Sequence, residues 1–223
     1  MAASAVKLTL LEQFAKVGKA LSNPHRIYIL EILSQSERSV EGIATTAGLG
    51  IANASQHLQH LRRAGLVSAR KSGTQVLYRL SGEDVFDLLT ATRGTARRHL
   101  ADIDRVVVSY MNRQDGMEPI SREELLARIR EHSVIVLDVR PEEEFLAGHL
   151  PGALNIPVKE LERRLRELPS NCEVVAYCRG EYCLYAYDAV AALRGFGYRA
   201  RRLADGFPEW RMAGLPIELA PRS

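Results

Sequence analysis

The chain has little cysteine, no long apolar run and no repeat, and each shortage excludes something. Three cysteines in 223 residues are too few for a disulfide framework, so the thiols are expected to be free in a reducing compartment. No apolar stretch approaches the ~20 residues of a membrane helix. The opening MAASAVKLTLLEQFAKVGKAL carries charges every few residues, which argues against a secretory signal. A cytoplasmic protein with no membrane partner is expected. Low-complexity segments are absent, and 46% hydrophobic with 26% charged residues is the composition of a globular chain.

The net charge of +3 hides an asymmetry. Residues 1–115 hold 15 Lys and Arg against 10 Asp and Glu, while residues 116–223 hold 15 against 17. A basic half followed by a mildly acidic one suggests two modules with different partners. The polar stretch 112–119 (NRQDGMEP) divides them, giving domains at 1–111 and 120–223.

The first half reads as helices with one hairpin. Helical spacing spans Val6–Leu21, and Pro24 opens a second helix to about Leu33. Ser39 caps a short helix ending near Ala47. Gly48 and Gly50 make a turn, and Ala52–Ala64 is the next helix, closed by Gly65. Leu66–Lys71 and Gln75–Leu80 are β-like and joined through Gly73. Ser81 to about Met111 reads as one long helix with a weak point at Gly94. Helix, glycine turn, helix and a two-stranded wing make a winged helix-turn-helix, whose second helix enters the major groove. In that helix Ala54, Leu58 and Leu61 face the core. Ser55, Gln56, Gln59, Arg62 and Arg63 occupy the opposite face, where Gln suits adenine, Arg guanine and Ser base or phosphate. Arg70, Lys71 and Thr74 sit at the wing tip, placed for backbone or minor-groove contact.

The second half alternates strands and helices, as an α/β domain with a mainly parallel sheet does. Ser121 and Glu124 form a capping box. Val134–Val139 and Glu173–Tyr177 are buried strands, with a third at Arg199–Leu203. Short helices are expected at Glu142–Ala147 and Glu160–Leu168, and a longer one at Leu184–Gly195. The strand Glu173–Tyr177 runs into Cys178, Arg179, Gly180, Glu181, Tyr182 and Cys183 before the last of these. A cysteine on such a turn, beside Arg179, is expected to have its thiolate favoured by the helix dipole and free amides. The carboxyl ends of the strands are where open α/β sheets bind ligands.

Two resemblances sharpen these readings. LGIANASQHLQHLRRAGLVSARKSGTQVLYRL closely resembles the recognition helix and wing of the ArsR/SmtB repressors, over about residues 10–110. That family implies a homodimer held by helices 6–21 and 83–111, reading two half-sites of operator DNA. Its metal-sensing members carry a cysteine pair before the recognition helix. Here Ser39–Ala44 holds no thiol, and His99, Asp102 and Asp104 match the alternative ligand set poorly, so no metal is expected. His57 and His60 fit packing or DNA contact, and His25 a cap or surface group.

LDVRPEEEFLAGHLPGALNIP (137–157) and GYRARRLADGFPEWRMAGLPIE (197–218) resemble the two signatures of rhodanese domains, over about 119–219. Cys178 falls at the position of the family's persulfide-forming cysteine. The resemblance implies transfer of a sulfane sulfur from a small donor such as thiosulfate, polysulfide or a persulfide. It implies no cofactor. It also implies that amides of residues 179–183 cradle the sulfur, that Asp138 and Arg140 organise the site, and that Glu144, His149 and Asn155 hold its loops. Asp205, Gly206 and Trp210 would be structural.

The related Cdc25-type phosphatases and arsenate reductases need an arginine six residues past the cysteine. Leu184 stands there and excludes that chemistry. The last loop position, often Arg, Lys or Ser in rhodaneses, is Cys183. It reads either as a resolving thiol for a Cys178 persulfide or as a small buried residue opening the helix. Cys172 has no expected chemical role. Together the halves imply a regulator whose DNA binding responds to sulfane sulfur. The alternative is an active sulfurtransferase whose DNA binding ignores the thiol.

Overall fold

The computed structural model describes residues 2–107, 109, 119–169 and 172–219. All of the segment 112–119 except Pro119 lies outside them. Packing divides the chain into two units, 1–95 and 96–223.

The first unit contains α1 (Ala2–Leu21), α2 (Pro24–Gln35), β1 (Arg38–Ser39), α3 (Val40–Ala47), α4 (Ile51–Arg63), β2 (Val67–Ser72), β3 (Gln75–Leu80) and most of α5 (Glu83–His99). Local chemistry sets each start. The Asn23 side chain accepts from the Arg26 amide at 3.2 Å, with Pro24 in the first turn. Ser39 accepts from the Gly42 amide at 3.2 Å. Gly48 (φ +66°) and Gly65 (φ +77°) take the left-handed conformation that ends α3 and α4. The helices close on Ile29, Leu30, Ile32, Leu33, Ile43, Leu58 and Leu61, all buried. The hairpin is tighter than the sequence suggested. Ser72 pairs with Gln75, leaving Gly73 and Thr74 as a two-residue turn, and β1 adds a third strand in the order β1-β3-β2.

The long helix expected over Ser81–Met111 is interrupted, and not at Gly94. α5 passes through Gly94 and ends at His99; α6 (Ala101–Val106) starts after Leu100. A single helical glycine costs only ~1 kcal/mol relative to alanine. Arg97, Arg98 and His99 instead place positive charge in the last turn, where the helix dipole favours it.

The second unit adds α7 (Arg122–Arg130), β4 (Val134–Asp138), α8 (Glu142–Leu146), β5 (Leu154–Asn155), α9 (Leu161–Arg164), β6 (Glu173–Tyr177), α10 (Leu184–Gly195), β7 (Ala200–Arg202) and α11 (Phe207–Met212). The sheet is parallel in the order β5-β4-β6-β7, with β4 and β6 in register from Val134↔Glu173 to Asp138↔Tyr177. The two-residue strand β5 was not anticipated. The helix expected at Glu160–Leu168 is a short α-helix flanked by 3₁₀ turns. Ser121 caps α7 at 3.1 Å, but the Glu124 carboxylate turns to Arg128 and Arg201 instead of closing a capping box.

Strand alternation splits the core in two. Val174, Ala176 and Cys178 face one cluster with Ala186, Ala189, Val190 and Leu193 of α10. Val175 and Tyr177 face the other, with Phe207 and Trp210 of α11. Among the described residues no helix is long and apolar enough to cross a membrane.

Candidate functional site

In the first unit α4 has the polar, exposed face that its spacing predicts. Gln56, Gln59, Arg62 and Arg63 are exposed along α4, and Ser55 is half-buried, while Ala54, Leu58 and Leu61 are fully buried behind them. Lys71 and Thr74 project from the wing. Arg70 is also exposed but engaged: its Nε donates to Glu37 at 2.9 Å, which holds the Glu37 carboxyl below its usual range. A phosphate reached by Arg70 must compete with that carboxylate. His25 and His57 lie ring to ring at 5.7 Å. α1 leaves Val6, Leu8, Leu10, Leu11 and Phe14 exposed, a large apolar surface for one helix.

In the second unit Cys178 follows β6 directly. The loop that carries it is built from buried charge. Asp138 and Arg140 are both 0% exposed. The Arg140 backbone N–H and side-chain Nε donate to Asp138 Oδ1 at 2.9 and 3.0 Å, and a terminal nitrogen donates to Oδ2 at 2.6 Å. Another bond runs to the Gly148 carbonyl at 2.8 Å, and the guanidinium carbon stands 4.2 Å from the Phe207 ring centroid. The Tyr177 hydroxyl donates to Asp138 Oδ2 and accepts from the Leu150 amide. Burial, and then the Asp138 charge, push Tyr177 well above the usual phenol range, so it stays a donor.

Glu144, equally buried, accepts from Arg179 at 3.0 and 2.6 Å and draws the first loop residue back toward α8. Arg179 also lies over the Tyr185 ring, 5.3 Å from its centroid. Asn155 donates to the Asp138 and Arg140 carbonyls at 3.0 Å each, tying β5 to the end of β4. His149 stacks on Phe145 at 3.7 Å and pairs through its backbone with Glu218, so its contacts are with α8 and the segment around Glu218.

Gly206 abuts the loop. A Cβ there would stand 2.2 Å from the Gly180 nitrogen, and the Phe207 amide donates to the Cys178 carbonyl at 3.0 Å. Gly180 itself has φ +155°, outside what most side chains tolerate. Glu181 and Tyr182 form the turn, and the Glu181 carbonyl accepts from the Tyr187 hydroxyl at 3.4 Å.

The two cysteines differ from the expectation in one respect. Cys178 is 2% exposed and lies before the loop; Cys183, half-buried, is the residue that caps α10. Burial pushes the Cys178 thiol well above its usual range, and its hydrogen bond to Cys183 pushes the same way, against the amides of Gly180 and Ala186. The Cys183 thiol is drawn down, chiefly by that bond from Cys178 and further by the Arg179 and Tyr185 amides and the Arg179 charge, against burial. The lowered thiol is therefore not the one the sequence pointed to: six residues, 178–183, carry the chain from strand end to helix start, and the second cysteine arrives there. In the reduced chain, limiting iodoacetamide near neutral pH is expected to label Cys183 before Cys178 and Cys172, read by peptide mass mapping. Preferential labelling of Cys178 would contradict this proton arrangement.

Sequence reasoning missed Tyr177, Tyr185 and Glu209, whose carboxylate accepts from the Gly206 amide at 3.1 Å. Only Tyr177 gave a sign, as a hydroxyl in a buried strand that needs a partner. Beside the loop a cavity of about 670 Å³ is lined by Phe145, Leu146, Pro157, Val158 and Tyr185, with Asn155 at its wall. Among the described residues no group of three or more His, Cys, Asp or Glu is placed to hold a metal ion.

Comparison with known proteins agrees with both halves. Residues 23–69 match the bacterial regulatory protein, arsR family, and residues 121–213 match the rhodanese-like domain. The chain is 48% identical to the HTH-type transcriptional regulator Rv0324 of Mycobacterium tuberculosis, over 95% of this chain and 93% of that protein. It is 33% identical to a sulfurtransferase of Allochromatium vinosum, over 44% of this chain and 92% of that one. A solution structure of the homodimeric winged helix-turn-helix DNA-binding domain Mb0332 from Mycobacterium bovis is 48% identical, covering 43% of this chain and 89% of that one with a TM-score of 0.41. The near-full-length identity shows that the chain belongs to the ArsR-family HTH-type transcriptional regulators, here carrying a C-terminal rhodanese domain.

Proposed function

We propose that this regulator is a homodimeric, cytoplasmic DNA-binding protein, probing sulfane sulfur through Cys178 and changing its operator affinity in response. The reading places DNA binding and dimerisation in residues 1–111, a linker at 112–119 and sulfur chemistry in 120–223. The exposed apolar face of α1 supports a dimer, and the α4 and wing residues support contact with two half-sites. The observation that carries the sulfur half is the Cys178–Cys183 pair at the two ends of the loop from β6 to α10, with the Cys178 thiol donating to the Cys183 carbonyl at 3.4 Å and to the Gly180 carbonyl at 3.8 Å.

The chemistry balances within that pair. The Cys183 thiolate takes the Cys178 proton, and the Cys178 thiolate attacks the outer sulfur of a donor. With thiosulfate the S–S bond breaks and sulfite leaves with the electron pair, so Cys178 becomes a persulfide. Cys183 then attacks the Cys178 sulfur and expels the outer sulfur as hydrosulfide, which carries away the Cys183 proton. The sulfane sulfur is reduced and the two thiols are oxidised to a disulfide. An operator affinity change of 5–150-fold needs only ~1–3 kcal/mol of coupling. By intact mass, Cys178→Ser is expected to gain no sulfur from thiosulfate or polysulfide at any time, while wild type gains one sulfur transiently on the way to its disulfide. Equal sulfur uptake by both would sink the assignment of Cys178.

A second reading, a working sulfurtransferase whose DNA binding ignores the thiol, is favoured by the match to nearly the whole length of the Allochromatium vinosum sulfurtransferase. Sustained turnover with unchanged DNA affinity would select it.

A further inference from the structure

The DNA-binding unit has a second charged feature that the base-reading face does not absorb. Where the end of α1, the start of α2 and the end of α4 meet, a pocket of about 260 Å³ is lined by Lys16, Lys19, Ser22, Arg26, His60 and Arg63, with Ala20 and Ala64 as its apolar part. No carboxylate is among these residues. Such a volume admits a phosphate group together with several waters, each ~30 Å³ in the liquid.

One cation is held in place. The Arg26 guanidinium donates through Nε to the Ala20 carbonyl and through a terminal nitrogen to the Lys19 carbonyl at 2.9 Å. These bonds fix its position and leave its charge uncompensated, because carbonyls are neutral acceptors. Lys16 bonds to a neutral partner, Gln13, at 2.6 Å. Nearby His57 is held below its usual range, first by burial and then by the charges of Arg26, His25 and His60. Like charges around a small concavity repel, and an entering dianion relieves that repulsion while accepting charge-assisted hydrogen bonds.

We propose that this pocket is a binding site for a phosphate group. Two sources offer that chemistry, the DNA backbone beside the groove that α4 enters and a free phosphate or phosphate ester. The site includes Arg63 from the DNA reading but extends it to α1 and α2, which that reading leaves unassigned.

The test uses the full-length chain, inorganic phosphate as probe and Lys19→Gln as variant. Lys19 is exposed and its side chain lies outside the predicted base-reading set, so the fold and the base contacts are retained. Amide resonances of Ser22, Arg26 and Ala64 are expected to shift saturably with phosphate and not with chloride at equal ionic strength. Lys19→Gln is expected to weaken that binding about tenfold. DNA affinity is then followed against salt. A slope reduced by about 1 in Lys19→Gln identifies the DNA backbone as the source. An unchanged slope with weakened phosphate binding identifies a free phosphate. Unchanged phosphate binding and an unchanged slope overturn the site. Failure of wild type to bind DNA at all would sink the DNA reading but leave the phosphate arm to decide this one.

Discussion

Asp138→Ala is expected to destabilise the rhodanese unit by about 3–5 kcal/mol, the usual penalty for leaving a buried charge without its partner. Arg140 and Asp138 are both fully buried, and the carboxylate also accepts from the Arg140 backbone and from Tyr177. Alanine removes one side of all these bonds at once. Arg140 would lose that carboxylate while keeping the neutral Gly148 carbonyl and the faces of Phe207 and Tyr177. Since the chain has a single tryptophan, Trp210, buried in this unit, its fluorescence during urea unfolding reports this unit directly. A loss below about 1 kcal/mol, the scale of an exposed ion pair, would show that the pair does not organise the site.

Cys183→Ser is expected to stop the sulfur chemistry half-way. Wild type treated with thiosulfate should pass through the Cys178 persulfide, release sulfide and end as the Cys178–Cys183 disulfide. The variant should form the persulfide more slowly, having lost its proton acceptor, and then keep it. Intact mass separates the outcomes, as the persulfide gains one sulfur atom and the disulfide loses two hydrogens. Sulfide release should be stoichiometric in wild type and absent in the variant. A wild-type chain that keeps its persulfide as long as the variant would make Cys183 a packing residue of α10 and nothing more.

Much of the architecture could be read from the residues because local chemistry and burial agree there. Ala54, Leu58 and Leu61 set one face of α4 and Gly65 marks its end, while Pro24 and Ser39 mark the starts of α2 and α3. The apolar runs of β4 and β6 announced a parallel sheet, and Cys178 lies at the strand end as expected. What could not be read depends on distant partners. Arg70 looked like a free wing cation until Glu37, far away in sequence, came beside it. Arg140 is a charge that a sequence alone would leave in water; its burial needs Asp138, Gly148 and Phe207 together. The thiol order was misjudged because the position of a cysteine on a turn gives its distance from the helix but not its solvation. The interruption at Leu100 was also hidden, since nothing in that residue breaks a helix.

The central claim is that sulfur on Cys178 controls DNA binding. Its most direct test is a titration of DNA from upstream of the protein's own gene with reduced and with polysulfide-treated protein, using wild type and Cys178→Ser in parallel. The account predicts a wild-type affinity shift within about 5–150-fold on treatment and no shift in the variant. Tight binding that ignores polysulfide in both proteins, or a shift that survives in Cys178→Ser, would contradict it.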